Sequence, residues 1–90
     1  MTRKTDGNQP EIVEQLRDIP GMSVADTHMV GNGFPDIACG YKTFNYLFEV
    51  KVPGRARRLT DFERKWLEAW NGQVAVIESF EDACRIMGVL

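Results

Sequence analysis

The stretch GFPDIACGYKTFNYLFEVKVPG, residues 33–54, decides the fold because it has the pattern of two strands joined by a short turn. Ile37–Gly40 and Asn45–Val52 are rich in strand-forming residues, and Tyr41–Phe44 lies between them as the turn. After its first residue, Asn45, the second of these segments is apolar except for a glutamate and a lysine two positions apart. The sequence therefore predicts a hairpin that carries opposite charges in its second strand.

The register of this hairpin brings two carboxylates together. A hairpin centred between Lys42 and Thr43 sets Asp36 opposite Glu49. Because side chains two apart on a strand share a face, Lys51 points the same way as Glu49. Like charges at directly opposed positions are destabilising unless something positive lies between them. A divalent cation would meet that need.

The residue types suit a hard metal ion. Mg²⁺ prefers carboxylate, carbonyl and water oxygens, and Asp36, Glu49 and the carbonyl of Val50 could supply such a set. Lys51 could then orient or deprotonate a water, or hold a phosphate. The alternative is a strand with an ordinary salt bridge, which contributes little at a surface.

The rest of the chain predicts one α/β domain over residues 1–90, in the order α-β-β-β-α-β-α. Proline in the first helical turn, polar capping residues and Gly-containing breaks mark the boundaries. The predicted elements are a helix capped by Asn8 and ending near Asp18, a strand at Met22–Met29, the hairpin, a helix capped by Thr60, a strand at Gln73–Ile77 and a helix capped by Ser79.

Gly33-Phe34-Pro35-Asp36 followed by Glu49-Val50-Lys51 resembles the core of the PD-(D/E)xK nucleases. Nearly the whole chain is similar to the stand-alone virus-type replication-repair nuclease (VRR-NUC) domains of phages and prophages. The resemblance implies a restriction-endonuclease-like fold, with a mixed four-stranded sheet flanked by helices. It also implies an endonuclease that needs Mg²⁺ or Mn²⁺, cuts four-way or otherwise branched DNA, and acts as a homodimer.

The resemblance assigns roles to individual residues. It implies Asp36 and Glu49 as metal ligands, Lys51 as the catalytic lysine, and a glutamate of the first helix near the metal. That glutamate is Glu11 or Glu14. The apolar face of the helix favours Glu11, which could equally be the capping-box partner of the residue three positions before it.

One position departs from the family pattern, in which glutamine commonly follows Leu-Thr by three residues. Glu63 stands there, and a carboxylate cannot donate a hydrogen bond to a phosphate. Glu63 could instead hold a basic neighbour in position.

Basic residues cluster after the second hairpin strand although the chain as a whole carries a net charge of −2. Placed beside the proposed metal site, they could clamp DNA phosphates, or they could form a solvated charge run. The only histidine, His28, could serve as a base or phosphate donor if the loop 31–33 folds it toward the site. The predicted DNA-binding residues are Arg55, Arg57, Arg58, Arg64 and Lys65.

Large aromatic side chains fall at helical spacing in and just after the predicted helix capped by Thr60, at Phe62, Trp66 and Trp70. A small core does not readily cover so many, which predicts a dimer interface. Cys39 and Cys84 lack metal-binding spacing, which indicates buried free thiols.

The chain has no secretory signal and no long apolar run, so we expect an intracellular protein. The resemblance to the VRR-NUC domains implies a phage or prophage protein in the cytoplasm of a bacterial host. We expect no membrane and no organic cofactor. The principal alternative is a non-catalytic DNA-binding or assembly module on the same scaffold. A small regulatory domain unrelated to nucleic acid would leave the Gly-x-Pro-Asp motif unexplained.

Overall fold

The computed structural model describes residues 7–54 and 59–89. Within those ranges the elements follow the predicted order α-β-β-β-α-β-α. They are α1 (Gln9–Arg17), β1 (Met22–Asp26), β2 (Ile37–Tyr41), β3 (Phe44–Val50), α2 (Asp61–Ala69), β4 (Val74–Ile77) and α3 (Phe80–Met87). No helix in the described ranges has both the length and the apolar character needed to cross a membrane.

The four strands form one mixed sheet in the order β1-β2-β3-β4. The first three strands form an antiparallel meander, and β4 runs parallel to β3. As a consequence, β1, β3 and β4 end where β2 begins. We call this end of the sheet the site end.

The β2–β3 hairpin has the predicted register. Ile37 pairs with Phe48, and the remaining pairs continue in step to the turn. Lys42 and Thr43 occupy the turn with φ angles of 51° and 71°. Positive φ at both central residues is the type I′ geometry, whose twist matches that of the flanking strands.

The core lies between one face of the sheet and the helices α1 and α3. Alternate residues of the hairpin point into it, and the predicted apolar side of α1 meets them. Cys39 and Cys84 are free and buried, as predicted. The core residues are Ile12, Val13, Leu16, Ile37, Cys39, Phe48, Val50, Ile77, Ala83 and Met87.

Helix α2 is attached differently. None of its nine residues, all of them described, is buried. Its first turn packs against Gly33, which has a φ of 85° and leaves no room for a side chain beside the main chain of Phe62. Trp66 packs edge-on against Phe34, with ring centroids 5.2 Å apart. The glycine of Gly-x-Pro-Asp therefore lets the motif loop and α2 approach closely.

The end of β2 and the starts of β3 and β4 each differ from the sequence prediction by one residue, and two boundaries differ by more. Strand β1 ends at Asp26 rather than Met29, because the chain turns directly after Thr27, where the N–H of Val30 donates to the carbonyl of Thr27. Strand β3 ends at Val50 rather than Val52.

The predicted side-chain cap at Asn8 is wrong. Its side chain makes no capping hydrogen bond to α1. It donates instead to strand ends, as described below. The capping box with Glu11 is therefore not formed.

Candidate metal and phosphate site

Asp36 and Glu49 are brought together at the site end by hydrogen bonds on both sides of the glutamate. The N–H of Asp36 donates to the carbonyl of Phe48 at 2.9 Å. The N–H of Val50 donates to Oδ2 of Asp36 at 2.8 Å. Asp36 therefore binds the residue before Glu49 and the residue after it. Glu49 is only 3% exposed.

Thr27 fixes the segment that carries Asp36. Its N–H donates to the carbonyl of Asp36 at 2.8 Å, and its hydroxyl donates to the carbonyl of Pro35 at 2.7 Å. These two bonds join the loop after β1 to the Pro-Asp dipeptide. The carboxylate thus sits on a segment tied to both neighbouring strands, a rigidity that a binding site requires.

Lys51 contacts two carboxylates. Its Nζ lies 3.3 Å from Oε2 of Glu49 and 3.0 Å from Oε1 of Glu63. The same Oε1 accepts the N–H of Thr60 at 2.9 Å and so completes the capping box of α2. Glu63 does hold a basic neighbour in position, which is the role the sequence suggested for it.

Burial and the neighbouring charges shift the pKa values of Glu49, Glu63 and Lys51. Burial raises the pKa of Glu49 to about 9, and the nearby charges of Asp36 and Glu63 act in the same direction, while Lys51 opposes them. Burial alone would raise the pKa of Glu63, but the Thr60 N–H and the contacts with Glu49 and Lys51 hold it below its ordinary value. Burial would lower the pKa of Lys51, yet its two carboxylate partners raise it.

The carboxyl group of Glu49 is therefore buried among like charges with one cation beside it. Buried carboxylates are costly unless they are paired or coordinate a metal. Mg²⁺ is commonly held by one or two carboxylates together with waters and phosphate oxygens, so Asp36 and Glu49 fit its chemistry. Across residues 7–54 and 59–89, no three His, Cys, Asp or Glu side chains form a metal-binding group by themselves. The fit thus rests on a two-carboxylate set.

The N-terminus of α1 closes the same end of the sheet. The Nδ2 of Asn8 donates to the carbonyl of Lys51 at 3.2 Å and to that of Glu78 at 3.0 Å. Asn8 therefore ties the ends of β3 and β4 together directly after the Glu-x-Lys motif. Sequence reasoning missed this role, because an asparagine before a helical proline has the pattern of a cap.

Three polar residues form a second cluster at this end of the sheet. Oδ1 of Asp26 accepts the N–H of His28 at 3.2 Å and lies 2.6 Å from its Nδ1. The same oxygen accepts a hydrogen bond from Nε2 of Gln9 at 3.1 Å. Gln9 is 1% exposed, so the cluster runs from the interior to the surface. Of these residues, the sequence pointed only to His28.

The other predicted site residues lie at the surface or outside the described ranges. Glu11 and Glu14 are both exposed on α1, so which of them serves a metal stays a prediction. Arg64 lies 3.5 Å from both Asp61 and Glu68, in exposed pairs along α2. Lys65 is exposed. The predictions for Arg55, Arg57 and Arg58 lie outside the described residues.

The aromatic residues of α2 form a stripe that is largely uncovered. Trp66 and Trp70 stack with ring centroids 4.5 Å apart, and Trp66 is the partly buried member. Phe62 is 69% exposed and Trp70 is 44% exposed. The residues of this stripe are not part of the hydrophobic core. Contiguous exposed apolar surface often marks an interaction site.

The fold and the site define a small α/β protein whose mixed four-stranded sheet gathers acidic and basic side chains at one end. Comparison with known proteins found no matching family model, no matching curated protein and no matching solved structure. The function must therefore be argued from the site.

Proposed function

We propose that this protein is a divalent-metal-dependent endodeoxyribonuclease of the PD-(D/E)xK type, related to the stand-alone VRR-NUC domains. One observation carries the proposal. Asp36 is hydrogen-bonded to the residues on both sides of the buried Glu49, with the ammonium of Lys51 3.3 Å from that glutamate. A structural salt bridge would need only Glu49 and Lys51, and it would not account for the second carboxylate.

Asp36 and Glu49 would hold Mg²⁺ or Mn²⁺, with the Val50 carbonyl as a further ligand. The bound ion would supply an activated water and neutralise charge on the phosphate in the transition state. Lys51 would orient the attacking water or hold a phosphate oxygen as a point charge. Glu63 and the cap of α2 would fix the position of Lys51.

Branched DNA is the proposed substrate class. An exposed aromatic stripe on α2 supports a homodimer, and a two-fold pair would carry two equivalent sites. A four-way junction offers two equivalent phosphodiesters to such a pair. The predicted phosphate clamp of Arg55, Arg57 and Arg58 begins five residues after the end of β3 at Val50, the strand that carries Glu49.

The test is a cleavage panel of labelled duplex, single-strand, flap and four-way substrates with Mg²⁺, Mn²⁺ or chelator. We expect metal-dependent cutting that is strongest on the four-way substrate. Asp36→Asn, Glu49→Gln and Lys51→Met should each abolish it and leave the circular dichroism spectrum unchanged. Glu81→Gln, an exposed acid on α3, is the matched control and should cut at the wild-type rate.

The alternative gives a different result. Salt-sensitive DNA binding without cleavage under any metal would identify a non-catalytic DNA-binding or assembly module. A protein that does not bind DNA and does not cleave it would be a domain unrelated to nucleic acid.

A further inference from the structure

A groove on the sheet face that carries Glu49 lies beside the proposed metal site and outside it. It holds about 580 Å³, a volume common among ligand-binding sites, and it opens between strand β3 and the end of helix α2. Leu47 lines it from the strand, two positions before Glu49, and Trp70 lines it from the helix. The lining residues are Phe34, Thr43, Phe44, Asn45, Leu47, Trp70, Gly72 and Gln73.

The indole ring of Trp70 is held in place on two sides. It stacks on Trp66 with ring centroids 4.5 Å apart, and Trp66 in turn packs edge-on against Phe34. The edge of the indole lies against Gly72, where the Cβ of any side chain would come within 2.8 Å of the Trp70 Nε1 atom. Trp70 nevertheless remains 44% exposed. The ring is therefore a fixed platform with an open surface.

The groove adjoins the site along two elements. Leu47 and Glu49 share a face of β3 and are about 7 Å apart along the strand. Along α2, Glu63, which contacts Lys51, is about 10 Å from Trp70. Successive phosphates of one DNA strand are about 3.4 Å apart along a duplex axis, and further apart in an extended strand. The groove is therefore within reach of the first few nucleotides beside the proposed scissile phosphate.

The charges around the groove suit a nucleic-acid strand. Within the described ranges none of the lining residues carries a carboxylate, although the chain as a whole has a net charge of −2. Lys42 is the one charged residue that neighbours a lining residue in sequence, and it is exposed in the hairpin turn. The exposed side chains of Asn45 and Gln73 add amides that can both donate and accept hydrogen bonds, as the edges of bases do.

We propose that the groove holds the base of an unpaired nucleotide beside the cut, stacked on Trp70. This inference rests on the proposed nuclease function and specifies the substrate as DNA with an unpaired base next to the scissile phosphate. Every base has an aromatic face, so the groove selects for an unpaired strand rather than for a sequence. The subunit contact proposed for the aromatic stripe then falls to Phe62, at the other end of α2.

The test measures affinity for a labelled branched substrate with one unpaired arm, with Ca²⁺ replacing Mg²⁺ as an oxygen-binding ion. Abasic sites are placed one at a time through the unpaired arm and at the branch point. We expect one position to weaken wild-type binding about tenfold, as the loss of one stacked base should. An abasic site in a distant paired arm is the control and should have no effect.

Two substitutions then connect that base to the ring. Trp70→Ser should weaken binding to the intact substrate by the same factor and cause no further loss on the sensitive abasic substrate. Trp70→Phe keeps an aromatic ring and should bind within about threefold of the wild type. A Trp70→Ser protein that had lost its fold would also bind the abasic substrate worse than the wild type does, and thermal unfolding would detect it. The abasic series on the wild type needs no variant and decides the inference in that case.

The outcomes separate this inference from the proposed function. If the wild type cuts DNA and no abasic site changes its binding, the base contact is overturned and the nuclease proposal stands. Equal losses for Trp70→Ser on the intact and abasic substrates would also overturn the base contact, and a shift of that variant to monomer would assign the groove to the subunit contact. An abasic effect that depends on Trp70, in a protein that never cuts DNA, would support the base contact and overturn the nuclease. A wild-type protein that neither binds nor cuts DNA would overturn both.

Discussion

The Nζ atom of Lys51 lies 3.0 Å from Oε1 of Glu63, the residue that also completes the capping box of α2. One carboxylate therefore fixes the start of a helix and offsets the charge of the lysine proposed for catalysis. No residue of α2 is buried, and this contact connects the helix to the site together with the packing of Gly33 and Phe34.

Replacing Glu63 with glutamine should strengthen DNA binding several-fold. The amide oxygen of glutamine can still accept the Thr60 N–H, so the cap is kept, but Lys51 loses the nearer of its two carboxylate partners. Binding to duplex DNA in chelator measures the effect. Glu68→Gln is the control, since it changes the net charge equally and, within residues 7–54 and 59–89, Glu68 forms an ion pair with Arg64 rather than with Lys51. Equal gains in both variants would show that only the net charge matters.

Glu49→Gln should stabilise the metal-free protein at high pH. The pKa of Glu49 lies at about 9 in the folded state against an ordinary value of 4.5. A raised carboxyl pKa contributes stability that is fully present below the unfolded value and is lost as the pH rises through the folded value. The wild type should therefore lose stability between about pH 4.5 and pH 9 relative to the variant.

Thermal unfolding across this pH range in chelator measures the difference. We expect Glu49→Gln to melt several degrees higher than the wild type at the alkaline end, given that about 1 kcal/mol shifts the melting temperature of such a domain by about 4–8 °C. At the acidic end the two should converge. Parallel curves for the two proteins would contradict the burial of an ionisable Glu49.

Adding Mg²⁺ or Mn²⁺ should raise the melting temperature of the wild type at alkaline pH. A ligand that binds only the folded state stabilises it in proportion to the logarithm of its concentration above the dissociation constant. Asp36→Asn and Glu49→Gln should lose this response, while Glu81→Gln keeps it. A response that survives both site substitutions would place the metal elsewhere.

Glu11→Gln should lower cleavage or metal affinity more than Glu14→Gln. Both residues are exposed on α1 and three positions apart, so the two substitutions are matched in charge and in helical context. Glu11 lies in the first helical turn, two residues after Gln9, whose side chain reaches the end of β1. Isothermal titration with Mn²⁺ compares the two variants. Equal and negligible changes would remove the first-helix glutamate from the site.

The sequence predicted the part of the site that depends on local periodicity. The turn at Lys42 and Thr43 and the period of two along each strand together fix the hairpin register, and from it the approach of Asp36 and Glu49. The contacts of Asn8 could not be predicted in this way. Its partners lie 43 and 70 residues away along the chain, and no local pattern distinguishes such a tether from a helix cap.

The same limit applies to Gln9 and Asp26. Polar residues at a helix start and at a strand end are usually exposed. Gln9 and Asp26 are paired because the fold brings the start of α1 to the end of β1. Sequence reasoning extended β1 through Met29 for a related reason. The alternation continues past Asp26, but the turn closed by the Val30 N–H on the Thr27 carbonyl takes the chain out of the sheet.

Self-association should depend on the aromatic stripe of α2. Phe62 is 69% exposed, so Phe62→Ser removes apolar surface from the stripe without opening the core. Ile86 is 45% exposed on α3, away from the stripe, and gives a matched control, Ile86→Ser. Trp66 is less suitable because its ring packs on Phe34, and its removal would also loosen α2.

Light scattering at micromolar concentration should show a dimer for the wild type and for Ile86→Ser, and a shift toward monomer for Phe62→Ser. Cleavage of a four-way junction should fall with the dimer, because a single subunit presents one site to a substrate with two equivalent phosphodiesters. Binding to simple duplex DNA should change less, since each subunit keeps its own basic residues. A monomeric wild type with full junction activity would contradict both the interface and its link to the substrate.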